Sequence, residues 1–137
     1  MLNETTVKVT LLEDEHAIYF QWDHLVLRED VRPAFEQIDR LLDASPDPIY
    51  VVVDISSNPQ FPLTETVNAA IQGPARHPKL KGWLVVGKSN MARIIGRSIN
   101  AMTGKRNIQW FESYADALIF VRRSGSSQSL EGRDGSA

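Results

Sequence analysis

Ile49-Tyr50-Val51-Val52-Val53-Asp54-Ile55-Ser56 is the stretch on which the fold turns. Five apolar or aromatic residues run without a polar break and stop at an aspartate. A Ser/Asn/Pro-rich segment follows, and helical periodicity resumes at Leu63. An unbroken apolar run of this length belongs to a strand buried on both faces, as in a parallel sheet covered by helices. Ligands and regulatory contacts collect at the carboxyl ends of such strands. The stretch therefore predicts an α/β fold and directs attention to residues 54–64.

Working outward, Gly82-Trp83-Leu84-Val85-Val86-Gly87 is a second run of the same kind. Upstream, residues 6–12 alternate, with Val7, Val9 and Leu11 on one face, and residues 17–22 follow the acidic turn Glu13-Asp14-Glu15-His16. The pair reads as an antiparallel hairpin. Residues 30–43 place Val31, Phe35, Ile38, Leu41 and Leu42 at helical spacing, with Pro33 expected in the first turn. A second helix, 63–72, turns Leu63, Val67, Ala70 and Ile71 inward and stops at Gly73-Pro74. A third, 91–103, carries Met91, Ile94, Ile95, Ile99 and Met102 on one side, with Gly104 as a left-handed C-cap. Residues 108–111 form a short strand. Ser113-Tyr114-Ala115-Asp116 has capping-box spacing and opens a last helix that buries Leu118, Phe120 or Val121. The order predicts an N-terminal β-hairpin joined to a mostly parallel sheet, about five strands and four helices in all, with right-handed crossovers. Residues 1–123 are expected to form one domain. Residues 124–137 are mostly Gly, Ser and charge with almost nothing apolar, and are expected to be a flexible tail or linker stub.

The chain has 137 residues and a net charge of −2. That length suits one domain with its own core, and that charge predicts no general attraction to nucleic acid or acidic membranes. The absence of cysteine excludes disulfides, zinc–thiolate sites and thiol catalysis. No apolar run nears the roughly 20 residues that span a bilayer. Residues 1–10 lack a cationic region followed by an apolar block, so no signal peptide is expected. A cytoplasmic location is the expectation.

One motif needs disarming. Gly82 to Ser89 satisfies the G-x-x-x-x-G-K-S pattern of a phosphate-binding loop. Such a loop needs its variable residues in a tight turn whose N–H groups converge on phosphate. Trp83, Leu84, Val85 and Val86 instead favour an extended strand. What survives is the junction after Gly87. Lys88, Ser89 and Asn90 stand where a strand meets a helix N-terminus, and Arg93 and Arg97 lie one turn apart on that helix. Helix N-termini attract anions, so these five residues form a candidate anion site, beside the ordinary reading of a capped helix with a solvated basic face. The other candidate is the loop after Asp54. There Ser56, Ser57 and Thr64 carry hydroxyls near a helix start, where a phosphate would be favoured by the helix dipole. The competing reading is turn and cap chemistry.

The three histidines, His16, His24 and His77, lack metal-ligand spacing. No serine has a nucleophile-elbow motif, so no enzyme, metal or cofactor is expected. Trp22, Trp83 and Trp110 fall on predicted strands and are expected in the core; Trp83 and Trp110 have the alternative of bordering a pocket.

Tyr50-Val51-Val52-Val53-Asp54-Ile55-Ser56, His77-Pro78-Lys79-Leu80-Lys81-Gly82-Trp83-Leu84-Val85-Val86-Gly87 and Phe111-Glu112-Ser113-Tyr114-Ala115-Asp116-Ala117-Leu118 together resemble the STAS domain of bacterial anti-sigma-factor antagonists. More specifically, they resemble the small SpoIIAA-like proteins. The resemblance spans residues 6–123. In STAS antagonists a Ser or Thr at the start of the helix after the Asp-x-Ser strand is phosphorylated to switch partner binding. Thr64 lies nearest that position, and Phe61-Pro62-Leu63-Thr64 stands where the family carries Asp-Ser-Ser-Gly. The resemblance implies a non-enzymatic regulatory module that contacts a protein partner through residues 54–64 and the following helix, with Asp54, Ser56, Ser57 and Thr64 at the contact. The alternative is a binding protein for a small anionic or lipid-like ligand at residues 87–97. Neither reading involves nucleic acid or membrane insertion, and both are compatible with a homodimer.

Overall fold

The computed structural model describes residues 6–134, of which 125–134 are described by their backbone alone. Five strands form one sheet in the order of the chain: β1 (Val7–Leu12), β2 (Ala17–Trp22), β3 (Ile49–Asp54), β4 (Leu80–Val86) and β5 (Ile108–Phe111). The β1/β2 hairpin is antiparallel and every later pairing is parallel. The helices are α1 (Arg28–Ala44), α2 (Leu63–Gln72), α3 (Asn90–Thr103) and α4 (Tyr114–Asp134), with a 3-10 turn at Pro74–Arg76 between α2 and β4. The expected α/β class and hairpin-plus-parallel-sheet plan are what the chain adopts.

β3 is the central strand, flanked by β2 and β4. Its alternation sorts the core into two layers. Ile49, Val51 and Val53 face α1, α2 and α3 and join Phe20, Phe35, Ile38 and Trp83 in the larger cluster. Tyr50 and Val52 face α4 and meet Leu84, Val86, Ala117 and Val121 in the smaller one. Val51 and Val52 are both fully buried, which accounts for the absence of a polar break in the run.

Trp83 to Val86 are strand residues, and the turn comes only at Gly87, whose φ is +117°. That left-handed backbone suits glycine; a Cβ there would also sit 3.0 Å from the backbone of Ile55 and Ser56. A phosphate-cradling loop across Gly82–Ser89 is thus ruled out by the extended strand inside it.

Two expectations are corrected. First, α1 starts at Arg28, so Pro33 lies in the second turn. The carbonyl its ring leaves without an intrahelical donor is that of the exposed Glu29, open to water. Second, the inward faces of α2 and α3 are rotated. Leu63, Met91, Ile94 and Met102 are exposed, and α3 packs through Ile95, Gly96 and Ile99. Gly96 eases this packing, because a Cβ there would stand 3.3 Å from the Trp110 ring, closer than side chains ordinarily pack. The last helix, α4, runs to Asp134, and residues 135–137 lie outside the described residues. Its docked turns, Ala117 to Val121, supply the nucleus, and extending a helix is far easier than starting one.

We propose that residues 1–123 contain the whole cooperative unit, since Val121 is the last buried residue of α4 among those whose burial is described. A chain ending at Arg123 should melt within a few degrees of the full-length protein. A collapse of its thermal transition would place part of the unit beyond that point.

Candidate ligand site between α3 and β5

The loop after β3 is held mainly by its own polar groups. Asp54 points to the α4 face and is 8% exposed. Its carboxylate accepts from the Tyr19 hydroxyl at 2.5 Å, from the Ser56 backbone N–H at 3.0 Å and from the Ser56 hydroxyl at 2.6 Å. Burial, followed by the hydrogen bond to Asp54, raises the Tyr19 pKa well beyond the ordinary phenol range, so Tyr19 remains a donor. The Tyr114 ring covers Tyr19 at 4.7 Å. The Ser57 hydroxyl donates to the Trp22 carbonyl at 2.8 Å. Thr64 is exposed in the first turn of α2, on the opposite face of the sheet, behind an N-cap (Pro62) that has no side-chain acceptor to offer. The structure therefore does not gather Asp54, Ser56, Ser57 and Thr64 into one constellation. The first three serve the turn.

The second candidate is partly assembled. Ser89 is the N-cap of α3, its hydroxyl accepting from the Ala92 N–H at 3.1 Å. Lys88 and Asn90 are exposed beside it. One turn further on, the Arg93 guanidinium lies over the Trp110 ring, 4.4 Å from its centroid. Arg93, Arg97 and Asn100 stand at i, i+4 and i+7 and line a groove of about 130 Å³ with Gly96, Ile108 and Trp110. A neighbouring hollow adds Arg106 to Arg97 and Asn100. No Asp or Glu lines either hollow. Among the described residues, none of these three arginines is paired with a carboxylate. Asn100 Oδ1 is buried without a donor. An orphaned buried acceptor is destabilising by about 1–3 kcal/mol, so a ligand that supplied a donor would relieve it.

Sequence reasoning found Arg93 and Arg97 and missed Asn100, the next residue on the same helical face, which the 3.6-residue period could have added. Lys88, Ser89 and Asn90 cluster at the helix start and do not line the groove. Trp110 reaches the site from the edge strand, a convergence that no local pattern encodes.

Behind the groove lies an apolar chamber of about 70 Å³. It shares Gly96, Ile108 and Trp110 with the groove and extends inward to Trp22, Phe35 and Trp83. Trp22 and Trp83 are thus both core and pocket residues. Among the described residues, the indole N–H of each has no acceptor. Among the described residues no three His, Asp or Glu side chains are grouped to hold a metal, and no helix is long and apolar enough to cross a membrane.

Hairpin, parallel sheet and helix placement together define a SpoIIAA-like α/β fold. A solved structure of this class, an uncharacterized protein of the DUF3478 family from Shewanella loihica PV-4, aligns with a TM-score of 0.59 at 16% sequence identity, covering 88% of this chain and 98% of that one. At such identity the likeness establishes the fold alone. No family model matches the chain, and no curated protein matches it in sequence.

Proposed function

We propose that this protein is a non-catalytic binding module that takes a small anion in the groove between α3 and β5, held by Arg93 and Arg97, with Asn100 receiving a donor from the ligand. The observation that carries this reading is the set of guanidinium groups that have no carboxylate partner among the described residues, around a groove whose buried acceptor is unmet there too. Guanidinium forks match carboxylate and phosphate oxygens bidentately. The stack on Trp110 limits the freedom that Arg93 would lose on binding. A ligand at 100 times its dissociation constant stabilises the folded state by about 2.7 kcal/mol, which is a rise of several degrees in melting temperature for a domain of this size. Thermal melts with phosphate and small hydroxycarboxylates, against chloride at equal ionic strength, should show that rise, and Arg93→Ala/Arg97→Ala should abolish it. A shift that survives the double substitution would refute the groove as the site.

A second reading is favoured by a different observation. Leu25, Leu27 and Leu63 are 56%, 41% and 38% exposed, and Leu25 bridges to Gln60 within the 54–64 loop. Apolar exposure beside a loop and an uncapped helix suits a protein contact. Phosphate on Thr64 would meet the positive end of α2 and compete with Glu65 for Arg28, which pairs with it at 3.3 Å. On this reading Thr64→Glu changes the set of proteins retained in a pull-down, while Thr64→Ala retains the wild-type set and stability. Identical retention by both variants would dismiss it.

A further inference from the structure

From the open edge of β5 beside the groove we infer the form in which the anion arrives: as alternate carboxylates on an extended segment of a partner protein, which adds to the sheet as a further strand. This rests on the anion-binding reading above and names the partner class for the same groove. β5 is the last strand of the sheet and, among the described residues, pairs with β4 alone. The Trp83 N–H donates to the Asn107 carbonyl at 2.8 Å, and the Gly87 N–H to the Phe111 carbonyl at 3.0 Å. Polar groups alternate in direction along a strand. Residues 107, 109 and 111 therefore direct theirs at β4, while the N–H and C=O of Ile108 and Trp110 point away from it, to the free edge. None of the four residues of β5 is buried, and Ile108-Gln109-Trp110-Phe111 carries neither a charge nor a proline to deter another strand.

Spacing decides the sequence of the incoming strand. The side chains of Ile108 and Trp110 lie toward Gly96, on the α3 face. A strand paired with β5 presents its own side chains on that face at every second residue, about 6.8 Å apart. Arg93 and Arg97 are one helical turn apart, about 6.0 Å along the axis of α3. The two repeats match, so a Glu-x-Glu segment sets one carboxylate at each guanidinium. α3 is the crossover between the parallel strands β4 and β5 and runs against both. In antiparallel pairing, the more stable kind, the added strand follows the direction of α3, and a hydroxyl residue two positions after the second Glu gives Asn100 its donor. Charge agrees with this occupant. Residues 66–111 contain no Asp or Glu, so no carboxylate of that stretch repels the strand or competes for the arginines. A second copy is a poor occupant, because none of the five strands carries two carboxylates.

The test is a titration of the intact chain, at fixed ionic strength, with an acetylated and amidated peptide of sequence STVEVEVTSG, beside phosphate and acetate. Binding should saturate, and amide hydrogen exchange should slow at Ile108 and Trp110. Replacing both Glu of the peptide by Gln, or Arg93→Ala/Arg97→Ala in the protein, should weaken binding by about tenfold or more, because the charge-assisted forks are lost. N-methylation of the two Glu residues keeps their carboxylates and removes the N–H groups that face β5; it too should weaken binding by about tenfold. An N-methylated peptide that binds as tightly as its parent, or a parent that binds no tighter than acetate, would overturn this inference and leave the groove reading standing. A Gln peptide that protects Ile108 and Trp110 as well as the Glu peptide would also overturn it. So would protection of those amides in the free protein that rises with its concentration, since a second copy would then hold the edge. Absence of any arginine-dependent binding, phosphate and acetate included, would remove both.

Discussion

Val52→Asp is expected to abolish the cooperative thermal transition or to lower its midpoint by well over ten degrees. Val52 is fully buried at the centre of β3, enclosed by Ala17, Leu84, Val86, Ala117 and Val121. The buried residues of that cluster offer a carboxyl no donor, and the hydroxyl of the neighbouring Tyr19 is already given to Asp54. Holding it neutral at pH 7 against an ordinary pKa near 3.9 costs about 4 kcal/mol, and the lost valine burial adds about 1.5–3 kcal/mol. The sum is comparable with the roughly 5–15 kcal/mol that holds a domain of this kind together. Asp54 makes the comparison instructive. It lies two residues along the same strand face, also buried, and is tolerated because Tyr19 and Ser56 give it three hydrogen bonds. Circular dichroism melts of the two proteins measure the effect. A midpoint within a few degrees of wild type would mean that α4 does not seal this face.

Tyr19→Phe carries the second large effect. Its hydroxyl donates to a buried carboxylate, and hydrogen bonds to charged groups are worth about 1.5–3 kcal/mol. The substitution should lower the melting temperature by several degrees at pH 7. It should also alter the alkaline limb of stability. The folded-state pKa of Tyr19 is raised, by burial first and Asp54 second, above its ordinary 10.0. The phenol therefore contributes its full stability below pH 10, and that contribution is lost as pH climbs from about 10 toward the folded pKa. Tyr114, raised by burial and by Glu15, acts with the same sign. Melts of Tyr19→Phe between pH 8 and 11 should fall less steeply than wild type without becoming flat. Parallel slopes would show that Tyr19 does not titrate with folding.

Much of the architecture was legible because local pattern and burial agree. The bounds of β2, α2 and β5 are those that alternation and helical spacing predict. β3 ends at the aspartate where polar hydrogen bonding begins. What was not legible depended on contacts between elements. The apolar residues of α3 suggested a broad inward stripe, yet Gly96 seats the helix against Trp110 and turns Met91, Ile94 and Met102 outward. Asp54 was read as part of the loop surface, whereas strand alternation from Val52 turns it to the α4 face. Arg93 and Arg97 were visible as a pair. Their meaning changes once Asn100 and the edge-strand Trp110 complete the groove. The chamber behind them comes from the approach of α2 and α3 to the sheet, and no run of residues encodes a void.

The most direct test of the anion groove is a heteronuclear NMR titration with inorganic phosphate at constant ionic strength, read at the guanidinium Nε–H of Arg93 and Arg97, the side-chain amide of Asn100 and the indole of Trp110. The account predicts saturable movement of these four together while the amides of residues 54–64 stay in place. Movement centred on Thr64 and the start of α2, or no saturation at the arginines, would contradict it.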